Sequence, residues 1–278
     1  MDITGVIQQK GGVGKTGLVA GTAGALAERG RRVLLGDLDP QGHLTVSALG
    51  LPRVAQDAPS LAAALAGEEV GPLRELVVRH STTPAGGVID VLPTSLRMFT
   101  AARDLDKRPD RERQLGRILG DVSNEGEDYD DCLLDGPPAL DVLTDNILAA
   151  AKRVLIPVQP DDSSIEALRI LFGQIQALER ALRREPIEIL GTVASNYRRP
   201  LSLIDQSVMR SLEGMANQGV PLIARLPLAA VIKEAWRVGV PTPLHPRGAT
   251  TESAEAYREI ARALDRAAGR TVEGEVTA

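Results

Sequence analysis

KGGVGKTG, residues 10–17, lies between the apolar run ITGVIQQ (3–9) and the helix-favouring stretch LVAGTAGALAER (18–29). A strand, a glycine-rich turn and a helix in that order make a phosphate-binding loop. Gly11, Gly12 and Gly14 let backbone N–H groups converge on an anion without side-chain obstruction, and the helix N-terminus behind them favours negative charge. Lys15 is placed to reach the β- and γ-phosphates of a nucleotide, and the Thr16 hydroxyl to ligate Mg²⁺. The usual pattern, GxxxxGK followed by Ser or Thr, wants glycine at position 9, where this chain has Gln9 with Lys10 beside it. The loop thus carries a second lysine at its start.

Outward from the loop, further apolar runs recur: RRVLLGD (31–37), VIDVLP (88–93), DCLLD (131–135), RVLIPV (153–158), EILGTVA (188–194) and VPLIARL (220–226). They are continuous rather than alternating, as in parallel strands buried on both faces. Helical stretches separate them. The clearest is 161–182, where Ile165, Leu168, Phe172, Ile175, Leu178 and Leu182 recur at spacings of three and four behind Asp-Asp-Ser-Ser. Seven strands alternating with helices predict an α/β fold, a doubly wound, mostly parallel sheet with helices on both faces. There is no internal repeat or long linker, so one domain is expected over 1–268, with 269–278 a flexible tail. The Ala-, Gly- and Pro-rich stretch 50–87 gives the weakest local signal.

Composition removes several classes of function. The 278 residues carry 32 basic and 37 acidic side chains, a net charge of -5, which does not suit a histone-like nucleic-acid binder. The acidic excess sits in residues 1–150, while 151–278 is slightly basic. Six aromatic residues are too few for rows of stacking platforms along single-stranded nucleic acid. The single cysteine, Cys132, reads as a small buried strand residue; it can form no internal disulfide, and the three histidines have no metal-ligand spacing. No apolar run approaches the roughly 18 residues of a membrane span. A cytoplasmic location is expected.

The loop closely resembles the deviant Walker A motif of the ParA/MinD family of P-loop ATPases, and further segments extend the likeness. VLLGDLDPQGHLT (33–45) resembles the family's second motif, and YDDCLLDGPP (129–138) its Walker B strand. LIARLPLAAVIKEAWRVGVP (222–241) and AEAYREIARAL (254–264) are similar to its closing strand and helices. The resemblance implies that residues Lys10, Gly11, Gly12, Val13, Gly14, Lys15, Thr16 and Gly17 bind ATP, with Asn196 and Pro227 as base contacts. It implies that Thr16, Asp37 and Asp135 serve Mg²⁺, that Asp39 orients the attacking water, and that Gly136 to Pro138 sense the γ-phosphate. Lys10 would reach the nucleotide of a second subunit, so that ATP joins a homodimer and hydrolysis stays slow until a partner acts. Standing alone, Asp37 and Asp39 would read as a strand end and a turn cap sooner than as a site, and Asn196 and Pro227 equally as turn residues.

Within the family, a ParA-type partition ATPase is the expected branch: an ATP dimer that binds double-stranded DNA without sequence preference, associates with the nucleoid and is stimulated by a ParB-like centromere-binding protein. Basic residues outnumber acidic ones seven to four over 187–247, and Arg198, Arg199, Arg225, Lys233 and Arg237 are the candidate DNA contacts. A MinD-like ATPase acting on membrane or protein cargo is the alternative, but the last helix offers only Tyr257, Ile260 and Leu264 amid alanines, with an acidic tail after it. A nitrogenase iron protein would need cluster-ligating cysteines. Two departures from the ParA pattern carry expectations. Gly17 lacks the hydroxyl that usually contacts the α-phosphate, which predicts weaker ATP binding. Leu228 follows Pro227 where an arginine is usual, which moves DNA contact to neighbouring basic residues. The chain begins at its first strand, so no N-terminal helix-turn-helix is expected.

Overall fold

The continuous apolar runs form strands whose two faces are both covered. A computed structural model describes residues 1–125 and 128–271. The strands are β1 (Asp2–Val6), β2 (Arg32–Asp37), β3 (Val78–Thr82), β4 (Val88–Leu92), β5 (Asp131–Asp135), β6 (Arg153–Val158), β7 (Glu188–Tyr197) and β8 (Leu222–Pro227). They make one sheet in the order β3-β4-β2-β5-β1-β6-β7-β8. All neighbours are parallel except β3 and β4, which are antiparallel.

The helices are α1 (Lys15–Ala27), α2 (Leu61–Ala66), α3 (Met98–Leu105), α4 (Gln114–Glu125), α5 (Val142–Ala150), α6 (Ser164–Leu182), α7 (Leu203–Gly214), α8 (Ala230–Arg237) and α9 (Glu252–Ala267). Successive strand residues point to opposite faces, and each face has its own core. Leu34, Cys132, Leu134, Val154 and Ile156 join α2 to α7 on one side. Val33, Leu35, Leu133 and Leu155 join α1 and α9 on the other. Both alternate positions must therefore be apolar, which is why these strands show no alternation. Truncating one such leucine, Leu133 for instance, removes about 2–5 kcal/mol.

The expected doubly wound sheet is present with one strand more than the seven foreseen. β3 falls inside the Ala-, Gly- and Pro-rich stretch, and its residues VRHST are partly to fully exposed at the sheet edge. An edge strand with polar side chains gives no apolar run to read. The helix expected over 161–182 begins at Ser164, because Asp161 turns the chain by accepting from Ser163 N at 3.1 Å. Of the tail expected over 269–278, residues 272–278 lie outside the described residues.

β1 stands between β5 and β6, and the chain leaves it toward β2 on one side and later returns to β6 on the other. Such a reversal opens a crevice beyond the carboxyl ends of the strands. The glycine-rich loop leaves β1 into that crevice.

Candidate functional site

α1 begins without a side-chain cap. Its N-cap, Gly14, has φ 91°, a left-handed conformation that favours glycine, and no acidic residue stands in the first turn. The unpartnered N–H groups of that turn face the crevice and suit an anion. Gly12 also has a positive φ of 74°, and a Cβ there would meet nothing within 4 Å, so the loop stays open above it. Lys15 lies folded back beneath the loop, its Nζ donating to the carbonyls of Gln8 (3.0 Å) and Lys10 (3.4 Å). Burial pulls its pKa down, and the charges of Asp135 and Asp39 oppose that shift.

Three carboxylates close the floor. Asp37 and Asp135 are register partners at the ends of β2 and β5, both fully buried. Thr16 Oγ1 donates to Asp135 Oδ2 at 2.7 Å. The other oxygen, Asp135 Oδ1, is buried with no hydrogen-bond partner among the described residues. Burial and the neighbouring Asp37 charge push the Asp135 pKa well above the usual carboxylate range, against the pull of Thr16 and Lys15. Asp37 accepts from Thr45 N (2.8 Å) and Thr45 Oγ1 (2.6 Å) on one oxygen and from Asp39 N (3.2 Å) on the other. Burial pushes its pKa up to about 6, with the Thr45 bonds resisting. Asp39 Oδ1 accepts from Gln41 N at 2.9 Å, and Asp39 lines the phosphate cleft beside the loop.

A hydroxyl, an orphaned carboxylate oxygen and a second buried carboxylate form an all-oxygen set suited to a hard divalent cation. Among the described residues no cluster of three or more His, Cys, Asp or Glu side chains forms a protein-only metal cage. That is the arrangement of a cation completed by ligand phosphates and water.

Two cavities meet at the loop. One, of about 420 Å³, runs over Gly11 to Gly17 past Asp39, Gln41, His43 and Pro138. The second, of about 260 Å³, is mainly apolar and lies toward Leu226, Pro227, Ile232 and Tyr257. Gly14, Gly17, Asn196 and Trp236 line both, so the two form a continuous trough. Asn196 sits in β7 with a left-handed φ of 60°, its Nδ2 donating to Gly12 O. Pro227 is the last residue of β8 and lines the apolar part.

The structure gathers every residue expected at the loop, both base-contact candidates and all three carboxylates. Lys10 is the exception in direction: it turns away to Asp161, with Ser163 Oγ at 3.1 Å. Of the basic candidates, Arg199 makes a two-pronged pair with Glu252 (2.9 and 2.6 Å), and Arg225 pairs with Glu213. Arg198, Lys233 and Arg237 are exposed and have no ion-pair partner among the described residues. Sequence reasoning missed Thr45, Asp161, Trp236 and Tyr257. Their contacts to the loop and its carboxylates are made by folding, and Asp161 is 151 residues from Lys10.

The family model described as an AAA domain matches residues 1–189. The chromosome-partitioning ATPase Soj of Thermus thermophilus is 34% identical over 253 residues, 91% of this chain and 91% of that protein. The chromosome partitioning protein ParA of Caulobacter vibrioides is 32% identical over 260 residues, 94% of this chain and 92% of that protein. Among solved structures, the cobyrinic acid a,c-diamide synthase of Mycobacterium smegmatis, with bound ATP analogue and magnesium, has a TM-score of 0.72 at 31% identity and covers 97% of each chain.

Proposed function

We propose a function from the premise that this chain belongs to the ParA/MinD family of P-loop ATPases: residues 1–268 form one ATP-dependent dimerising switch that serves DNA partition. The observation that carries the reading is the two-part trough, whose polar end suits a triphosphate and whose apolar end suits a nucleoside.

The triphosphate lies on the backbone of Gly11 to Gly14, with Lys15 neutralising its β- and γ-oxygens and the N–H groups of Thr16 and Gly17 at the helix end. Thr16 and Asp135 would hold Mg²⁺, and Asp37 would order the water around it. When bound, the ion neutralises charge on the β- and γ-phosphates. Asp39 accepts a hydrogen bond from a water and aims its oxygen at the γ-phosphorus. The new P–O bond forms as the bond to the β,γ-bridging oxygen breaks, giving ADP and phosphate. Lys10 leaves Asp161 and reaches the nucleotide of a second copy, placing positive charge where negative charge develops. Turnover is slow until a ParB-like partner completes this rearrangement.

The ATP dimer binds DNA through exposed basic residues, of which Arg198, Lys233 and Arg237 have no ion-pair partner among the described residues. The membrane form of the MinD-like alternative finds no support in the last described helix, while protein cargo stays open. Tyr257, Ile260 and Leu264 of α9 are buried against α1 and the sheet and offer no apolar face to a lipid surface. Nor is any described helix long and apolar enough to cross a membrane. Cys132 is buried in β5, where burial pushes its thiol pKa up, so no reactive thiol competes with the phosphate chemistry.

The test is binding of arbitrary double-stranded DNA with ATP, ADP or no nucleotide at two salt concentrations. Binding is expected only with ATP, to weaken steeply with salt, and to vanish in Lys15→Ala together with ATP binding. ATP binding without any DNA binding would move the cargo from DNA to protein or membrane. Unchanged ATP affinity in Lys15→Ala would remove the nucleotide from this loop.

A further inference from the structure

One face of α1 carries glycine at spacings of four and three: Gly17, Gly21 and Gly24. The last two are explained by packing. A Cβ on Gly21 would overlap the ring of Tyr257, and one on Gly24 would come within 2.7 Å of Pro241 Cβ. Gly17 is different, because a Cβ there would lie in ordinary contact, 3.7 Å from Trp236 Cζ2 and 3.7 Å from Tyr257 Oη. Packing therefore does not require glycine at 17. What its bareness does is leave an indole edge and a phenol hydroxyl facing the trough where it passes from its polar to its apolar part.

Two further observations bear on those side chains. Tyr257 is fully buried, yet its hydroxyl has no hydrogen-bond partner among the described residues, a cost that a protein rarely leaves uncompensated. Trp236, in the last turn of α8, is only half-buried and lines both cavities. Asn196, meanwhile, spends its amide N–H on Gly12 O.

We propose that Trp236 and Tyr257, uncovered by Gly17, grip the nucleoside end of a bound nucleoside triphosphate, the indole as an apolar platform for base and sugar and the phenol hydroxyl as a polar contact beside it. The inference rests on the nucleotide-binding reading of the loop. An apolar ring edge packs against any base or sugar, so the contact adds affinity without strict base selection.

Trp236 is the single tryptophan of the chain, so the emission comes from this side chain alone. In the full chain with Mg²⁺, ATP is expected to change the emission well beyond the change given by inorganic tripolyphosphate, which lacks a nucleoside, and equal changes would overturn the proposal. By calorimetry, Trp236→Ala should weaken ATP binding roughly tenfold or more while tripolyphosphate affinity stays within about twofold. Trp236→Phe should recover most of the loss, and Tyr257→Phe should weaken ATP several-fold. Unchanged emission on saturation with ATP overturns the proposal, and so does equal loss for ATP and tripolyphosphate in Trp236→Ala. The emission test needs no variant and stands if Trp236→Ala fails to fold. If Lys15→Ala leaves ATP affinity intact, the loop assignment itself has failed. Loss in Lys15→Ala with no Trp236 effect sinks only the nucleoside contact.

Discussion

Replacing Asp161 with asparagine should tighten the ATP dimer. Lys10, the lysine assigned to a second copy's nucleotide, is held within its own chain by Asp161 and Ser163. Side-chain exposures of 29% and 36% make this a solvated pair, worth about 0.5–1 kcal/mol. A symmetric dimer must release two such lysines, so the release costs about 1–2 kcal/mol per dimer, or about 5- to 30-fold in the dimer dissociation constant. Asparagine is the right replacement because Asp161 also caps the entry to α6, accepting from Ser163 N (3.1 Å), Ser163 Oγ (2.9 Å) and Ser164 Oγ (3.0 Å). An amide oxygen keeps that cap and removes the charge. The assay is sedimentation over a concentration series with a non-hydrolysable ATP analogue, at low and moderate salt. The gain should shrink as salt rises. Adding Asp161→Asn to Lys10→Ala should change nothing further. A dissociation constant within twofold of the wild type, or equal tightening in the Lys10→Ala background, would refute the restraint.

Asp39→Ala should keep ATP affinity within a few-fold and abolish phosphate release, leaving a longer-lived dimer; ordinary turnover in a phosphate-release assay would take Asp39 out of the reaction. Because the Asp37 pKa is raised from 3.8 to about 6 in the fold, the unfolded chain ionises this group first as pH rises. Stability relative to Asp37→Asn should therefore be greatest below about pH 4, fall by about 3 kcal/mol between pH 4 and 6 and be flat above, measured by urea unfolding without nucleotide. The opposite slope would contradict burial as the dominant cause. Gly21→Ala puts a methyl into the Tyr257 ring and should cost about 1–3 kcal/mol in the same assay, and an unchanged midpoint would show that α9 yields easily.

The parallel core was legible because burial on both faces leaves runs such as DCLLD and RVLIPV with no polar interruption. β3 was not, since VRHST at an exposed edge looks like a loop. The loop was legible because strand, glycines, lysine and helix are contiguous. Asp37, Asp39 and Asp135 could be read singly as strand-end residues, and only the register of β2 on β5 brings two of them together. Trp236, Tyr257 and Asp161 carry no local signal. Each faces the loop from a distant helix or turn, and only the folded packing of α8, α9 and the start of α6 around α1 gives it a neighbour.

The facing of Asp37 and Asp135 has a consequence for the life of the molecule in a cell. Burial sets the Asp37 and Asp135 carboxyls side by side and raises both pKa values, a cost that a bound cation and nucleotide would offset. Ligand at about a hundred times its dissociation constant adds about 2.7 kcal/mol to the native state. A difference of that size changes the fraction of opened chains offered to proteases about a hundredfold. Saturating nucleotide is therefore expected to slow proteolysis of the native chain, and equal cleavage rates with and without ATP would refute that link.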